Sequence, residues 1–295
     1  MKATTQLRKL LEKGQQGEIL VAPGAHDALS ARLVEAAGFN AVYLTGYGAA
    51  ASLLGQPDVG LLTMSEMAYQ ARRFAGAVNI PVIADGDTGF GNAVNVQRAV
   101  REYETAGVAA IQLEDQVAPK KCGHMLGREV VPAEEMAGKI QAAVDARKDR
   151  DFVILARTDA RTNHGIEEAI RRGKLYEKAG ADVLFIESPE SEDEMRQITG
   201  SFNVPVLANM LERGRTPLKS VEELQALGYD LVIFCVASTY ICAKAVTDYL
   251  RELKKTGTTE HLIEGKMLPF PDFNRFIGLD EIRAAEEKYG GDKRK

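Results

Sequence analysis

"ETAGVAAIQLEDQ", residues 104–116, carries three signals in succession. A helical pattern, NVQRAVREYETAG (95–107), stops at Gly107. An apolar run without polar alternation follows, and it ends on two carboxylates, Glu114 and Asp115. Glycine after a periodic segment frees the chain to turn back. A run apolar on both faces reads as a strand covered on both sides, the mark of a parallel sheet between helices. The carboxylates then stand where such a strand stops.

The same helix–glycine–strand phrase recurs as AAGFNAVYL (36–44), KAGADVLFI (178–186) and ALGYDLVIF (226–234). Read throughout, the chain offers eight strand runs: EILVAP (18–23), AVYLT (41–45), PVIAD (81–85), AAIQLED (109–115), FVILART (152–158), DVLFIES (182–188), PVLANM (205–210) and DLVIFCV (230–236). Eight strand–helix units predict an α/β fold of the (β/α)8 TIM-barrel type. A doubly wound sheet is the weaker reading, because VAPGAHDALS (21–30) has no G-x-G-x-x-G after the first run. The expected organisation is one barrel domain over 1–295, with a helical extension at about 255–295. That tail holds the proline-broken LPFPDFNRF (268–276) and the charged LDEIRAAEEKY (279–289). It packs either on a neighbouring subunit or on its own barrel.

Composition narrows the partners. The 295 residues are 45% hydrophobic and 27% charged, with a net charge of −5 and no basic stripe, so the partner is expected to be a small molecule and not nucleic acid. The opening MKATTQLRKLLEKGQQ lacks the apolar core of a signal peptide. No stretch approaches the ~18–20 apolar residues of a membrane span. Three cysteines without paired spacing suit a reducing, cytoplasmic setting.

In a barrel of this kind chemistry sits at the C-terminal strand ends. Strand 2 ends in Tyr43, Thr45 and Gly46, strand 3 in Asp85 and Asp87, and strand 4 in Glu114 and Asp115. Strand 5 delivers Arg157 and Asp159, strand 6 Glu187, and strand 7 Asn209. About half of such residues are expected to cap helices or pair structurally. The stretch IADGDTGFGN (83–92) places two acids one residue apart in a glycine-rich loop, which suits a hard divalent cation, Mg2+ or Mn2+, with Glu114 as a third carboxylate. The alternative is a turn in which the aspartates bond backbone amides.

The next loop, EDQVAPKKCGHMLGRE (114–129), sets Lys120, Lys121, Cys122 and His124 together. Neighbouring cations lower a thiol's pKa and fit it to shuttle protons or attack. No second cysteine stands near enough for zinc. Gly123 and Gly127 suit a closing lid. Cys235 and Cys242 read as small buried thiols. Arg157 offers a planar fork for a carboxylate or phosphate, or an ion pair with Glu187 or Asp159. His26 reads as support for a helix start beside Asp27, and His164 and His261 as solvated.

YLTGYG (43–48), LGQPDVG (54–60), DGDTGFGN (85–92), EDQVAPKKCGH (114–124) and ARTDA (156–160) resemble, in order and spacing, the isocitrate lyase/phosphoenolpyruvate mutase superfamily. The likeness runs from about residue 20 to 250 and is most similar to the short lyases of 2,3-dimethylmalate and 2-methylisocitrate. It implies a Mg2+-dependent barrel that cleaves a 2-substituted malate to pyruvate and a second acid. It also implies a homotetramer with its eighth helix exchanged between subunits. By position, Asp85 would ligate Mg2+, and Asp58, Asp87 and Glu114 would hold its waters. Tyr43, Thr45 and Gly46 would contact the pyruvate half. Cys122 would be the general acid, with Gly123 and His124 on the mobile loop. Arg157, Glu187 and Asn209 would line the pocket, and Lys120 or Tyr43 would deprotonate the 2-hydroxyl. A carboxyphosphonoenolpyruvate phosphonomutase is the rival within the superfamily, but it generally lacks the Cys-Gly-His loop. One departure concerns the substrate. FCVASTYICAKA (234–245) has Tyr240 where methylisocitrate lyases carry an arginine for the distal carboxylate, which favours 2,3-dimethylmalate. Arg213 or Arg215 in NMLERGRTP (209–217) could supply that cation instead.

Overall fold

The computed structural model describes residues 1–125 and 127–290. Its chain forms two compact units, Met1–Tyr240 and Ile241–Lys295. The first is a closed barrel in strand order β1 (Leu20–Ala25), β2 (Val42–Leu44), β3 (Val82–Asp85), β4 (Ala110–Glu114), β5 (Val153–Thr158), β6 (Val183–Ile186), β7 (Val206–Asn209) and β8 (Leu231–Phe234). Every pairing is parallel, and β8 closes on β1 through Leu20↔Leu231 to Pro23↔Phe234. All eight expected runs are strands. β1 runs further than expected, through Gly24 and Ala25. Gly24 allows this, because a Cβ there would lie 2.2 Å from the Cys235 carbonyl oxygen.

Alternation along the strands decides which residues meet the helices and which fill the barrel. Val42, Leu44, Val82, Ala84, Ile111, Leu113, Ile154, Ala156 and Leu184 pack outward with helical Met67, Phe74, Val96, Val100, Met136 and Ile140. The other parity, Tyr43, Ile83, Ala110, Val153, Leu155, Phe185, Leu207 and Ile233, fills the barrel, joined by Leu7 and Leu11 of the first helix, Ala3–Gln15. Continuing the inward parity to the strand ends gives Asp85, Glu114, Arg157, Glu187 and Asn209.

Helix starts at this rim are capped by polar side chains. Asp27 caps Ala28–Ala36 in a capping box with Ser30, Thr63 caps Met64–Ala77 with Glu66, and Asn92 caps Ala93–Ala106. Each satisfies backbone N–H groups that have no helical partner. In the second unit, Pro271 sits in the first turn of Phe270–Phe276, where its missing N–H costs no helical bond. Leu279–Tyr289 follows. Large apolar side chains of this unit stand exposed, among them Ile241, Phe270 and Ile282.

Candidate active site

A cavity opens at the C-terminal rim of the barrel. Tyr43, Thr45, Asp58, Asp85, Glu114, Lys120, Cys122, Gly123, His124, Arg157, Glu187 and Asn209 line it. Of the expected site residues, only Gly46 and Asp87 lie just behind the lining. Gly46 begins the helix Gly46–Leu54, whose N-cap is Thr45. Its N–H donates to Asp85 Oδ2 at 3.2 Å, and a Cβ there would fall 2.6 Å from that oxygen. Asp87 takes φ 47°, a left-handed conformation that aspartate tolerates, and donates its N–H to Asp85 Oδ1 at 3.0 Å.

The adjacent carboxylates of the opening stretch part company. Glu114 points inward and is 1% exposed. Asp115 takes the outward parity and accepts from Thr158 Oγ1 (2.6 Å), Tyr176 Oη (2.7 Å), the Asp159 N–H (2.9 Å) and Arg172 Nη1 (3.1 Å). It fastens β4 to β5 and the helix Arg161–Lys178.

The loop after β4 folds over the rim. Lys120 Nζ sits 2.6 Å from Asp58 Oδ1 and 2.7 Å from Asp87 Oδ1. Burial would lower its pKa, but Asp87, Glu114 and Asp58 outweigh that and hold it well above the ordinary value. Burial likewise pushes the Tyr43 phenol well above its ordinary value, with Asp85 adding to the rise. Both groups expected as alternative bases therefore keep their protons in this arrangement.

The thiol also corrects an expectation. Cationic neighbours were to lower the Cys122 pKa. Instead Lys120 turns to the acids, and Lys121 Nζ donates to the Gly127 carbonyl at 2.6 Å. Burial raises the Cys122 pKa, opposed by a backbone hydrogen bond at His124. The thiol stays protonated, as a proton donor requires. Cys235 is half-buried and lines the same cavity, and Cys242 is exposed, against the buried role expected of it.

Gly123 is required for close approach. A Cβ would lie 2.2 Å from Arg157 Nη2 and 2.7 Å from Glu187 Oε2. Ser188, at φ 62°, donates from Oγ to the Gly123 carbonyl at 3.1 Å. His124 Nδ1 accepts from the Arg215 N–H at 3.2 Å, which leaves Nε2 as the N–H, 3.3 Å from Glu187 Oε1. Burial would raise the Glu187 pKa, but Arg157 and His124 hold it well below the carboxylate range.

Arg157 forks onto Asp159 through Nε and Nη2, each at 2.9 Å. It also stands 3.4 Å from Glu114 and 3.3 Å from Glu187. Both ion pairs weighed from sequence are present, and the guanidinium still lines the cavity.

Leu211, Ile233 and Val236 supply an apolar wall near the edge-on pair Tyr47–Tyr240, centroids 5.9 Å apart. Arg213 and Arg215 are not among the lining residues, and Arg215 pairs with Glu190 at 3.5 Å. Tyr47, Leu211 and Val236 carried no chemical signal in the sequence. Asp159 was visible at a strand end, but its partner Arg128 was not.

Among the described residues no three acid, imidazole or thiol groups converge as a closed metal-ligand cluster. Magnesium typically takes only one or two protein carboxylates and keeps several of its own waters. The buried Glu114 Oε1, which has no hydrogen-bond partner, is an oxygen of the kind such an ion takes.

A family model described as phosphoenolpyruvate phosphomutase matches residues 7–254. The chain belongs to the phosphoenolpyruvate mutase/isocitrate lyase superfamily. Within this superfamily it is 56% identical to the 2,3-dimethylmalate lyase of Eubacterium barkeri over 289 residues, 98% of this chain and 99% of that one. It is 46% identical to a 2-methylisocitrate lyase of Aeropyrum pernix, over 93% and 87% of the two chains. A phosphonopyruvate hydrolase solved with oxalate and Mg++ superposes with a TM-score of 0.87 at 34% identity, covering 98% of this superfamily member and 99% of that chain.

Proposed function

We propose that this superfamily member is a Mg2+-dependent carbon–carbon lyase that splits 2,3-dimethylmalate into pyruvate and propionate. The observation that carries this reading is Cys122, a protonated thiol lining a cavity with an acidic wall on one side and an apolar wall on the other. A rearranging mutase needs no such proton donor.

Asp85 would hold Mg2+, with Asp87, Glu114 and Asp58 on its waters, and the ion would supply Lewis acidity toward the 2-oxygen and the adjoining carboxylate. Arg157 orients and neutralises a substrate carboxylate. As the C2–C3 bond breaks, its electron pair goes to C3, C2 becomes the ketone of pyruvate, the 2-hydroxyl proton passes to the Glu114 carboxylate that lines the cavity, and Cys122 gives its proton to C3; exchange with water resets both groups once the products leave. The closed loop, sealed by Gly123 and His124, excludes water from that step.

The apolar wall favours a 3-methyl group over a 3-carboxymethyl group. Each buried CH2 stabilises by about 0.8 kcal/mol, whereas a carboxylate against Leu211, Ile233 and Val236 would lack a cation and be costly to bury. Cleavage of 2-methylisocitrate is the second reading, supported by the 46% identical relative. The exposed apolar residues of Ile241–Lys295 suit a homotetramer with an exchanged helix, which light scattering would test. The deciding assay incubates the protein with MgCl2 and each acid, then reads pyruvate with a coupled reductase. Pyruvate from neither, or rearrangement of a phosphonate instead, sinks the proposal.

A further inference from the structure

The loop over the cavity has two limbs. Residues 120–124 carry the side chains that reach the site, and residues 127–131 return to the barrel. The limbs are tied by the Gln116↔Val130 bridge and by the Val117 N–H donating to the Glu129 carbonyl at 2.8 Å. On the returning limb Arg128 turns inward and its side chain is 1% exposed. Its Nη1 lies 2.5 Å from Asp159 Oδ1, its Nη2 donates to Thr162 Oγ1, and its carbonyl accepts from Asn163 Nδ2. Asp159, with no exposed side-chain surface, is the carboxylate that holds Arg157 in a two-pronged grip. One buried carboxylate is thus shared by a guanidinium of the covering loop and a guanidinium of the cavity. Neither Arg128 nor Asp159 touches the cavity.

We propose that Arg128 is a positioning residue that couples closure of this loop to the readiness of Arg157. With the loop down, Arg128 takes up part of the charge of Asp159. The two 2.9 Å bonds from Arg157 to Asp159 persist, but with that carboxylate shared, more of the Arg157 charge is left for the substrate carboxylate. With the loop raised, Asp159 has Arg157 as its nearest compensating cation and draws it back. Removing one partner of a buried charged pair leaves the other uncompensated, so the loss of Arg128 should be felt at Arg157 without any direct contact. This inference rests on the lyase reading for its kinetic readout, and a second readout is independent of it.

Two measurements test the coupling. In steady-state cleavage of 2,3-dimethylmalate, Arg128→Met should lower kcat on the order of 10²-fold, the scale of a displaced catalytic group, with KM moving less than about threefold. Arg128→Lys, which can reach Asp159 but not Thr162 as well, should recover about tenfold of that loss. If Arg128 acts through Asp159, Arg128→Met added to Asp159→Asn should be no more than about threefold worse than Asp159→Asn alone, because coupled residues are non-additive. Losses that multiply, or a threefold or smaller loss in Arg128→Met, overturn the proposal. In the second measurement trypsin cleavage after Lys120 and Lys121 is followed with and without oxalate plus MgCl2. Oxalate should protect the wild-type loop and leave Arg128→Met as cleavable as before. Equal protection of both proteins overturns the coupling even if neither cleaves dimethylmalate. A wild type that is protected but makes no pyruvate would sink only the substrate reading.

Discussion

The rim of the barrel differs sharply between its two sides. Around β3 and β4, Asp58, Asp85, Asp87 and Glu114 crowd together, with Lys120 pressed between two of them. Around β7 and β8, Leu211, Ile233 and Val236 form an apolar wall, with Tyr47 also lining the cavity. Burial on the acidic side works against charge on two of its members. Burial raises Asp87 to about 6 against the pull of Lys120, and raises Glu114 well above the carboxylate range against Arg157. Such a cluster is costly without cations, and Lys120 supplies one between Asp58 and Asp87. The apolar side has no comparable demand and selects by shape and by the absence of charge. One substrate with an oxygen-rich head and an alkyl tail satisfies both.

The largest expected effect lies on the acidic side. Asp85→Asn should lower kcat/KM on the order of 10³-fold or more, several kcal/mol of lost charge stabilisation, and abolish calorimetric Mg2+ binding. Activity within tenfold of wild type would remove the acidic side from the chemistry. At the boundary between the sides, Cys122→Ser should cost about 10²–10⁴-fold in kcat, the range for general acid catalysis, while oxalate binding persists. Gly123→Ala should cost about 10²-fold, because the new methyl must displace Arg157 or Glu187 for the loop to seat. On the apolar side, Tyr240→Arg should shift the ratio of kcat/KM values toward 2-methylisocitrate by about tenfold, the worth of one charged hydrogen bond. An unchanged ratio would mean that this wall does not read the tail.

The smallest effect concerns thiol reactivity. A raised pKa means less thiolate at a given pH, so alkylation of Cys122 should be slower than that of an ordinary cysteine at pH 8. The measurement follows iodoacetamide labelling of Cys122 in protein held with oxalate and MgCl2. Labelling of Cys122 should climb about tenfold per pH unit through pH 9 without levelling. A plateau below pH 8 would mean that the lysines do acidify the thiol.

Periodicity made the barrel legible. The eight apolar runs and the glycines between them suffice because strand and helix periods are local properties of the chain. The ends of those runs name the rim candidates Asp85, Glu114, Arg157, Glu187 and Asn209, and the K-K-C-G-H motif marks the covering loop. What lay beyond the sequence were the pairings between distant segments. Only the fold turns Glu114 inward and Asp115 outward, seats Lys120 between Asp58 and Asp87, and brings Arg128 to Asp159. Only the fold buries Cys122 enough to reverse the pKa shift its neighbours in sequence suggest. Desolvation and ion pairing depend on what surrounds a group in three dimensions, and a motif lists only what precedes and follows it.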